Sequence, residues 1–247
     1  MRLTVIGCGD AFGTGGRYQT CFLLDHGGVR LMIDCGATTL LAMKRKGISL
    51  DTIDAILISH LHGDHFGGLP FLFLNAVFID KRKKPLLIMG PRGVRQRFET
   101  LLETSYPGAL SNKRDFDMPM QELEAGVETN YSALRILPIE MRHDSGAPSL
   151  GFRIHAGGRT LAFSGDTGWC DSVMALGREA DLYVIECSTY DTRLQMHLDY
   201  HTIAQHFDAI GARRYLLTHM SDEMLARGDS INRDKCQMAQ DGLVIDV

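Results

Sequence analysis

The sequence predicts an α+β chain in which one sheet packs on another, with helices on the outside. Three observations lead there. Strand-like runs cluster at both ends of the chain, helical stretches lie between and after them, and no Pro- or Ser-rich linker divides the 247 residues. A doubly wound parallel sheet would alternate strand and helix more regularly. One integrated domain, residues 1–247, is expected.

Taken in order, Leu3–Ile6, Tyr18–Leu24 and Val29–Asp34 read as antiparallel strands, because the Gly-rich turns GCGDAFGTGG and DHGG separate them. Thr38–Lys46 reads as a helix with Leu40, Leu41 and Ala42 on its apolar side and Gly47 as its stop. Ile53–Ser59 is a short buried strand. Leu69–Ile79 is apolar on nearly every side and reads as a helix; Leu86–Met89 is a strand, and Gly93–Glu103 a helix behind Pro91. After a loop-rich middle come strands at Leu134–Met141, Leu150–His155 and Thr160–Ser164, then a helix at Ser172–Leu176 and a strand at Leu182–Glu186. A helix over Thr202–Ile210, ended by Gly211, and strands at Tyr215–Thr218 and Leu243–Val247 close the pattern. No repeat of fixed period is visible, although each half runs strands, then a polar motif, then helices.

Composition narrows the function classes. A chain that is 45% hydrophobic buries a core and is not disordered, and none of its apolar runs reaches the ~18 residues of a membrane span. A net charge of −4 argues against a general nucleic-acid binder, while leaving a phosphate-bearing substrate open. None of the six cysteines forms a CxxC pair, which disfavours a thiolate zinc or dithiol redox site. MRLTVIGCGD lacks the apolar core of a secretory signal, so reduced, buried thiols in a cytoplasmic protein are expected.

The strongest motif is His60-Leu61-His62-Gly63-Asp64-His65, directly after a buried strand and before Gly67-Gly68. Imidazole and carboxylate are ligands that suit zinc, and a loop at a strand end aims alternate side chains at different ions. With no cysteine nearby, an open catalytic site is favoured over a closed structural one. His143, Asp166 and His219 each follow an apolar run, where a strand delivers side chains to one rim of a sheet.

At these residues the chain resembles the metallo-β-lactamase superfamily, from GCGDAFGTGG to LTHMS. The resemblance implies a four-layer αβ/βα sandwich of two mixed sheets flanked by helices, with the site at one edge. It implies two divalent ions, zinc before manganese or iron: one on His60, His62 and His143, the other on Asp64, His65 and His219, with Asp166 bridging. Asp34 in IDCG resembles the buried Asp that supports the metal loop, or is a simple turn former. HLHGDHFGGLP, SGDT, Glu186 and His201-Thr202 are similar to the phosphodiesterase branch that includes ribonuclease Z. That likeness makes Asp64, Asp166, Glu186 and His201 the catalytic set, with Glu186 orienting His201 for the leaving-group proton.

The ribonuclease Z arm that grips tRNA has no counterpart between His143 and Asp166, where only a strand pair fits. The substrate is therefore expected to be a phosphodiester, either an RNA 3′ end or a cyclic or small one. The alternative is a thioester, lactone or other carboxyl-ester or amide hydrolase of the same fold, which needs no His–Glu acid. The run Lys81-Arg82-Lys83-Lys84, with Arg92, Arg95 and Arg97 behind it, is either a phosphate-contacting patch or a solvated turn. A helix apolar all round needs covering on both faces, so Leu69–Ile79 predicts a homodimer, with Phe73 and Phe78 in the contact.

Overall fold

The computed structural model describes residues 1–247. Strands β1 (Arg2–Gly7), β2 (Cys21–His26), β3 (Val29–Ile33), β4 (Ala55–Leu57), β5 (Leu87–Gly90) and β6 (Met120–Glu122) build the first sheet. The second takes β7 (Thr129–Tyr131), β8 (Leu134–Met141), β9 (Ser149–Ala156), β10 (Arg159–Phe163), β11 (Leu182–Glu186), β12 (Tyr215–Thr218) and β13 (Cys236–Met238). The last strand, β14 (Val244–Asp246), returns to pair with β1, giving the orders β14-β1-β2-β3-β4-β5-β6 and β13-β12-β11-β10-β9-β8-β7. Each sheet has an antiparallel part, β14 to β3 and β7 to β10, and a parallel part, β3 to β6 and β10 to β13. The halves thus repeat one topology that no sequence period betrays.

Alternation along the strands explains the layers. In β2, Phe22 and Leu24 face the second sheet, whereas Cys21 and Leu23 face the helices. In β11, Leu182 and Val184 point between the sheets, while Tyr183 and Ile185 point outward to helices. Both faces of these strands are buried, so they read as continuous apolar runs. Phe22 and Phe163 meet edge to face across the sheet interface at 5.6 Å. Helices α1 (Thr39–Arg45), α2 (Gly63–Phe66), α3 (Leu69–Leu74) and α4 (Val94–Ser105) precede the second sheet and carry Met43, Phe66, Phe73 and Phe98 into the first outer core. Helices α5 (Asp171–Gly177), α6 (Tyr200–Gln205), α7 (Phe207–Ile210) and α8 (Asp222–Ala226) cover the other sheet through Val173, Ile203, Phe207 and Met224. The sandwich is therefore helix, sheet, sheet, helix, as the sequence predicts.

The local differences have physical causes. The regular helix from Leu69 ends at Leu74, and Asn75–Ile79 widens so that Asp80 N–H reaches the Asn75 carbonyl at 2.9 Å. Asn75 Nδ2 also donates to Asp80 Oδ2 at 2.7 Å. Phe73 is buried against Phe98, so it is unavailable to a second copy, and only Phe71, Phe78 and Ile79 of this segment remain exposed. The helix expected over Thr202–Ile210 breaks at His206 into α6 and α7.

The basic run is also resolved. Arg82 is buried and donates to the carbonyls of Lys84, Leu50, Ile53 and Pro85 at 2.6 to 2.9 Å, and Lys84 pairs with Asp54. The central cation of the run is thus a fixture of the chain's own loops. Arg82→Met keeps the apolar stem but leaves four carbonyls without their donor, and should lower stability by about 3 kcal/mol, given ~1.5–3 per bond to a charged group and incomplete additivity. Urea unfolding with an unchanged slope would read this as a shifted midpoint; a loss below about 1 kcal/mol would contradict the account.

Candidate metal centre

The strand ends converge on one rim. β4 runs through Ile58 and Ser59 into His60, and α2 turns Asp64 and His65 inward while Phe66 enters the core. β8 ends just before His143, β10 before Asp166, β11 at Glu186 and β12 before His219. Side chains beyond the carboxyl ends of parallel strands gather where a sheet opens to ligand. The metal loop packs too closely to its neighbour for a side chain at Gly68, where a Cβ would lie 2.3 Å from the Gly36 carbonyl oxygen.

Asp34 sets the loop's shape. It is fully buried, in left-handed backbone with φ 59°, after β3. Its Oδ1 accepts from Ser59 N–H at 2.7 Å, and its Oδ2 accepts from Ser59 Oγ–H and from His65 Nδ1–H, each at 2.7 Å. One carboxylate therefore fixes both the residue before the motif and a residue inside it. Because Ser59 Oγ–H is committed to Asp34, its oxygen accepts from His60 Nδ1–H at 3.1 Å. The Met196 carbonyl likewise holds His143 Nδ1–H at 3.0 Å. This network commits the Nδ1–H of His60, His65 and His143 and turns each Nε2 toward the centre, where a cation can take its lone pair.

Two groups of donor atoms result, each within 4.8 Å internally: His60, His62 and His143, and Asp64, His65, Asp166 and His219. His62 Nδ1 faces His143 Nε2 at 3.0 Å. Asp166 Oδ1 lies 3.1 Å from His65 Nε2, and its Oδ2 lies 3.3 Å from His219 Nε2 and 3.8 Å from both His60 and His143 Nε2, so it stands between the groups. His219 Nε2 is 3.1 Å from Asp64 Oδ2. His60 Nε2, His65 Nε2 and Asp166 Oδ1 are buried without an aligned hydrogen bond, an arrangement a cation relieves. The donor set therefore fits divalent metal.

The electrostatics agree with that fit. Burial, then the neighbouring His65, holds His60 well below the usual imidazole range. Burial also opposes charge on His219, but Asp166 and the hydrogen bond to Asp64 outweigh it and push the imidazole up to about 9. Burial works against the charged form of Asp166 as well, yet His219 and His65 hold its carboxyl well below the usual range. Without a cation, the cluster balances its carboxylates by holding protons on histidine.

Glu186 is fully buried at the end of β11, where its Oε1 accepts from Thr167 N–H. Its Oε2 pairs with His197 Nδ1 at 3.2 Å, not with His201. His201 lies on the exposed face of α6, with its Nε2 against Gln205 at 2.8 Å, so the expected Glu186–His201 pair is corrected to Glu186–His197. The reason is the helix cap. Asp199 accepts from Thr202 N–H and Oγ–H at 2.7 and 2.8 Å, which starts α6 and turns His201 outward, while His197 precedes the cap and can turn back. The His197 ring lies 5.1 Å from His143 and stacks at 5.5 Å on His219. The Asp-cap signature in HLDYHT was the signal for choosing between the two.

Two mixed sheets between helices, with histidines and aspartates collected at one rim, define a metal-dependent hydrolase of the metallo-β-lactamase fold, on its ribonuclease Z-like branch. A family model described as Anti-Pycsar protein Apyc1 matches residues 1–245, and the chain belongs to that family. It is 24% identical to Ribonuclease Z of Methanosarcina acetivorans, over 99% of this chain and 95% of that protein. It is 26% identical to the probable metallo-hydrolase YhfI of Bacillus subtilis, over 99% of each. Among solved structures, human tRNase Z, short form, superposes with a TM-score of 0.81 at 25% identity, covering 100% of this chain and 99% of that one. Crystalline YhfI gives 0.81 at 21% identity over 99% of each, a likeness of fold.

Asp34→Asn tolerates the left-handed backbone but places an amide donor against Ser59 or His65. Metal affinity measured by chelator competition should fall about 10- to 100-fold with the fold retained, as for other groups that orient ligands. Unchanged affinity would remove Asp34 from that role.

Proposed function

We propose that the protein is a phosphodiesterase for a compact phosphodiester, cyclic or small, and that it works with two divalent ions, zinc foremost. The observation that carries this reading is the pair of buried Glu186 and half-buried His197 beside the seven donor side chains. His60, His62 and His143 would hold one ion, Asp64, His65 and His219 the other, and Asp166 both. Such a pair supplies an activated water and neutralises charge on a phosphoryl group. Glu186 fixes His197 through Nδ1, which leaves Nε2 to give its proton to the departing oxygen. Esters and lactones need no such donor, so the pair favours phosphorus over carbonyl carbon.

Compactness of the substrate rests on the chain's own surface. β9 and β10 form a plain hairpin between His143 and Asp166, and two of the four cations of the basic run, Arg82 and Lys84, are engaged internally. The match to the archaeal Ribonuclease Z spans 298 positions, so that relative holds insertions this chain lacks. The relatives' name supports phosphodiester chemistry.

Two outcomes are expected. In the metal-free protein His219 keeps its proton below about pH 9, so a cation must displace it. Affinity should rise with pH toward that value, and calorimetry in buffers of different ionisation enthalpy should count at least one released proton near neutrality; none released would contradict the ligand role. His197→Ala should keep its metal and slow an alkyl phosphodiester by about 10²–10⁴-fold, with bis-p-nitrophenyl phosphate slowed far less, because p-nitrophenolate leaves unprotonated. His201→Ala should match the wild type on both. Equal losses in His197→Ala, or a carboxyl ester or precursor tRNA turned over faster than every small phosphodiester, would overturn the reading.

A further inference from the structure

The segment that joins β11 to α6 is exposed from Asp191 to Gln195, and its one aliphatic side chain there, Leu194, is exposed as well. It nevertheless carries two groups that the centre needs. The Met196 carbonyl fixes His143, and His197 pairs with Glu186. What steadies the segment comes from α8. Glu223 Oε1 accepts from three successive backbone N–H groups, those of Tyr190, Asp191 and Thr192, at 3.0, 3.1 and 3.2 Å. Consecutive N–H groups that converge in this way make a nest for an anion, and here the chain supplies its own. No other acceptor takes a backbone N–H between Tyr190 and His197. Those bonds, the one from Asp191 foremost, push the Glu223 carboxyl down to about 2, so it is charged across the whole neutral range.

We propose that Glu223 is a positioning residue for the proton donor His197, a role that rests on the phosphodiesterase reading. By closing the nest it holds the backbone of the segment, and with it the place from which His197 meets the departing oxygen. α8 starts three residues after His219, and Ser221 N–H donates to the Ser188 carbonyl at 2.9 Å. The root of the segment and its outer turn are therefore tied to one piece of backbone, the piece that also carries a metal-site histidine. The rings of His197 and His219 stack at 5.5 Å, so proton donor and metal site are set relative to each other. The far side of the segment lies against Gly168, where a Cβ would sit 2.2 Å from the Gln195 carbonyl oxygen. Glu186 does not suffice alone. Its bond to His197 Nδ1, at 3.2 Å, fixes one point of the ring, and the direction of Nε2 then follows the backbone. A displacement of about 1 Å at a reacting group costs on the order of 10²-fold in rate.

Glu223 belongs to none of the three cores, so Glu223→Ala should fold and, at saturating zinc, hold as much metal as the wild type. Hydrogen exchange of the zinc-loaded protein should quicken over residues 189–198 and not elsewhere. On an alkyl phosphodiester kcat should fall roughly ten-fold with KM little changed, part of the ~10²–10⁴ that a proton donor supplies, while bis-p-nitrophenyl phosphate is hydrolysed at nearly the wild-type rate. A generally loosened fold would slow both substrates alike. Glu223→Gln keeps an acceptor oxygen for the nest and should recover most of the lost rate. Because Glu223 acts through His197, adding Glu223→Ala to His197→Ala should cost nothing further. Unchanged exchange in Glu223→Ala, equal losses on the two substrates, or losses that multiply in the double variant would overturn the role. His197→Ala that separates the two leaving groups while Glu223→Ala does not would sink the role of Glu223 alone. His197→Ala without any such separation would sink the functional reading and this role with it.

Discussion

The site depends on one buried carboxylate that touches no substrate. Asp34 holds Ser59 and His65 together across the turn from β4 into α2, and Ser59 in turn orients His60. A short loop with four polar side chains would otherwise sample many rotamers, at a cost in entropy for each one ordered. Anchoring it to the end of β3 makes the loop part of the first sheet, and Gly68 then lets it lie flat against the Gly36 backbone. The remaining donors arrive from the second sheet. The centre is therefore a seam: its geometry is only as good as the packing of Phe22, Leu57 and Met89 against Phe152, Phe163 and Val184.

That division explains how the electrostatics are tolerated. Asp34, Asp64, Asp166 and Glu186 are all buried around the same imidazoles. Buried carboxylates persist only when paired or hydrogen-bonded. Asp34 has Ser59 and His65, Glu186 has Thr167 and His197, and Asp64 has His219. Asp166 alone is left with close neighbours but poor alignment on one oxygen, which is the mark of a group shaped for a cation.

Much of this was legible before any coordinates. A polar residue immediately after an apolar run marks a strand's carboxyl end, and His60, His143, Asp166 and His219 all carry that mark. The layers were legible because strands buried on both faces read as unbroken apolar runs. What escaped the sequence was direction in short segments. His197 and His201 lie four residues apart, and only the Asp199 cap decides which one turns inward. Arg82 looks like part of a solvated basic run, because nothing in KRKK announces the carbonyls of Leu50 and Ile53. The strands at Met120–Glu122 and Thr129–Tyr131 are too short and too polar to show a period of two.

Those short strands have a consequence for how the molecule meets others. Both sheets are seven strands wide, yet β6, β7, β13 and β14, the four that end them, are each three residues long. A sheet border that brief offers too few open N–H and C=O groups to template another strand. Gln121, Glu122, Asn130 and Asp246 place polar side chains along the same borders. Growth of either sheet by strand addition is thereby blocked at all four ends. Contact with other chains is left to the helical and loop surfaces, where side chains rather than backbone decide what is accepted.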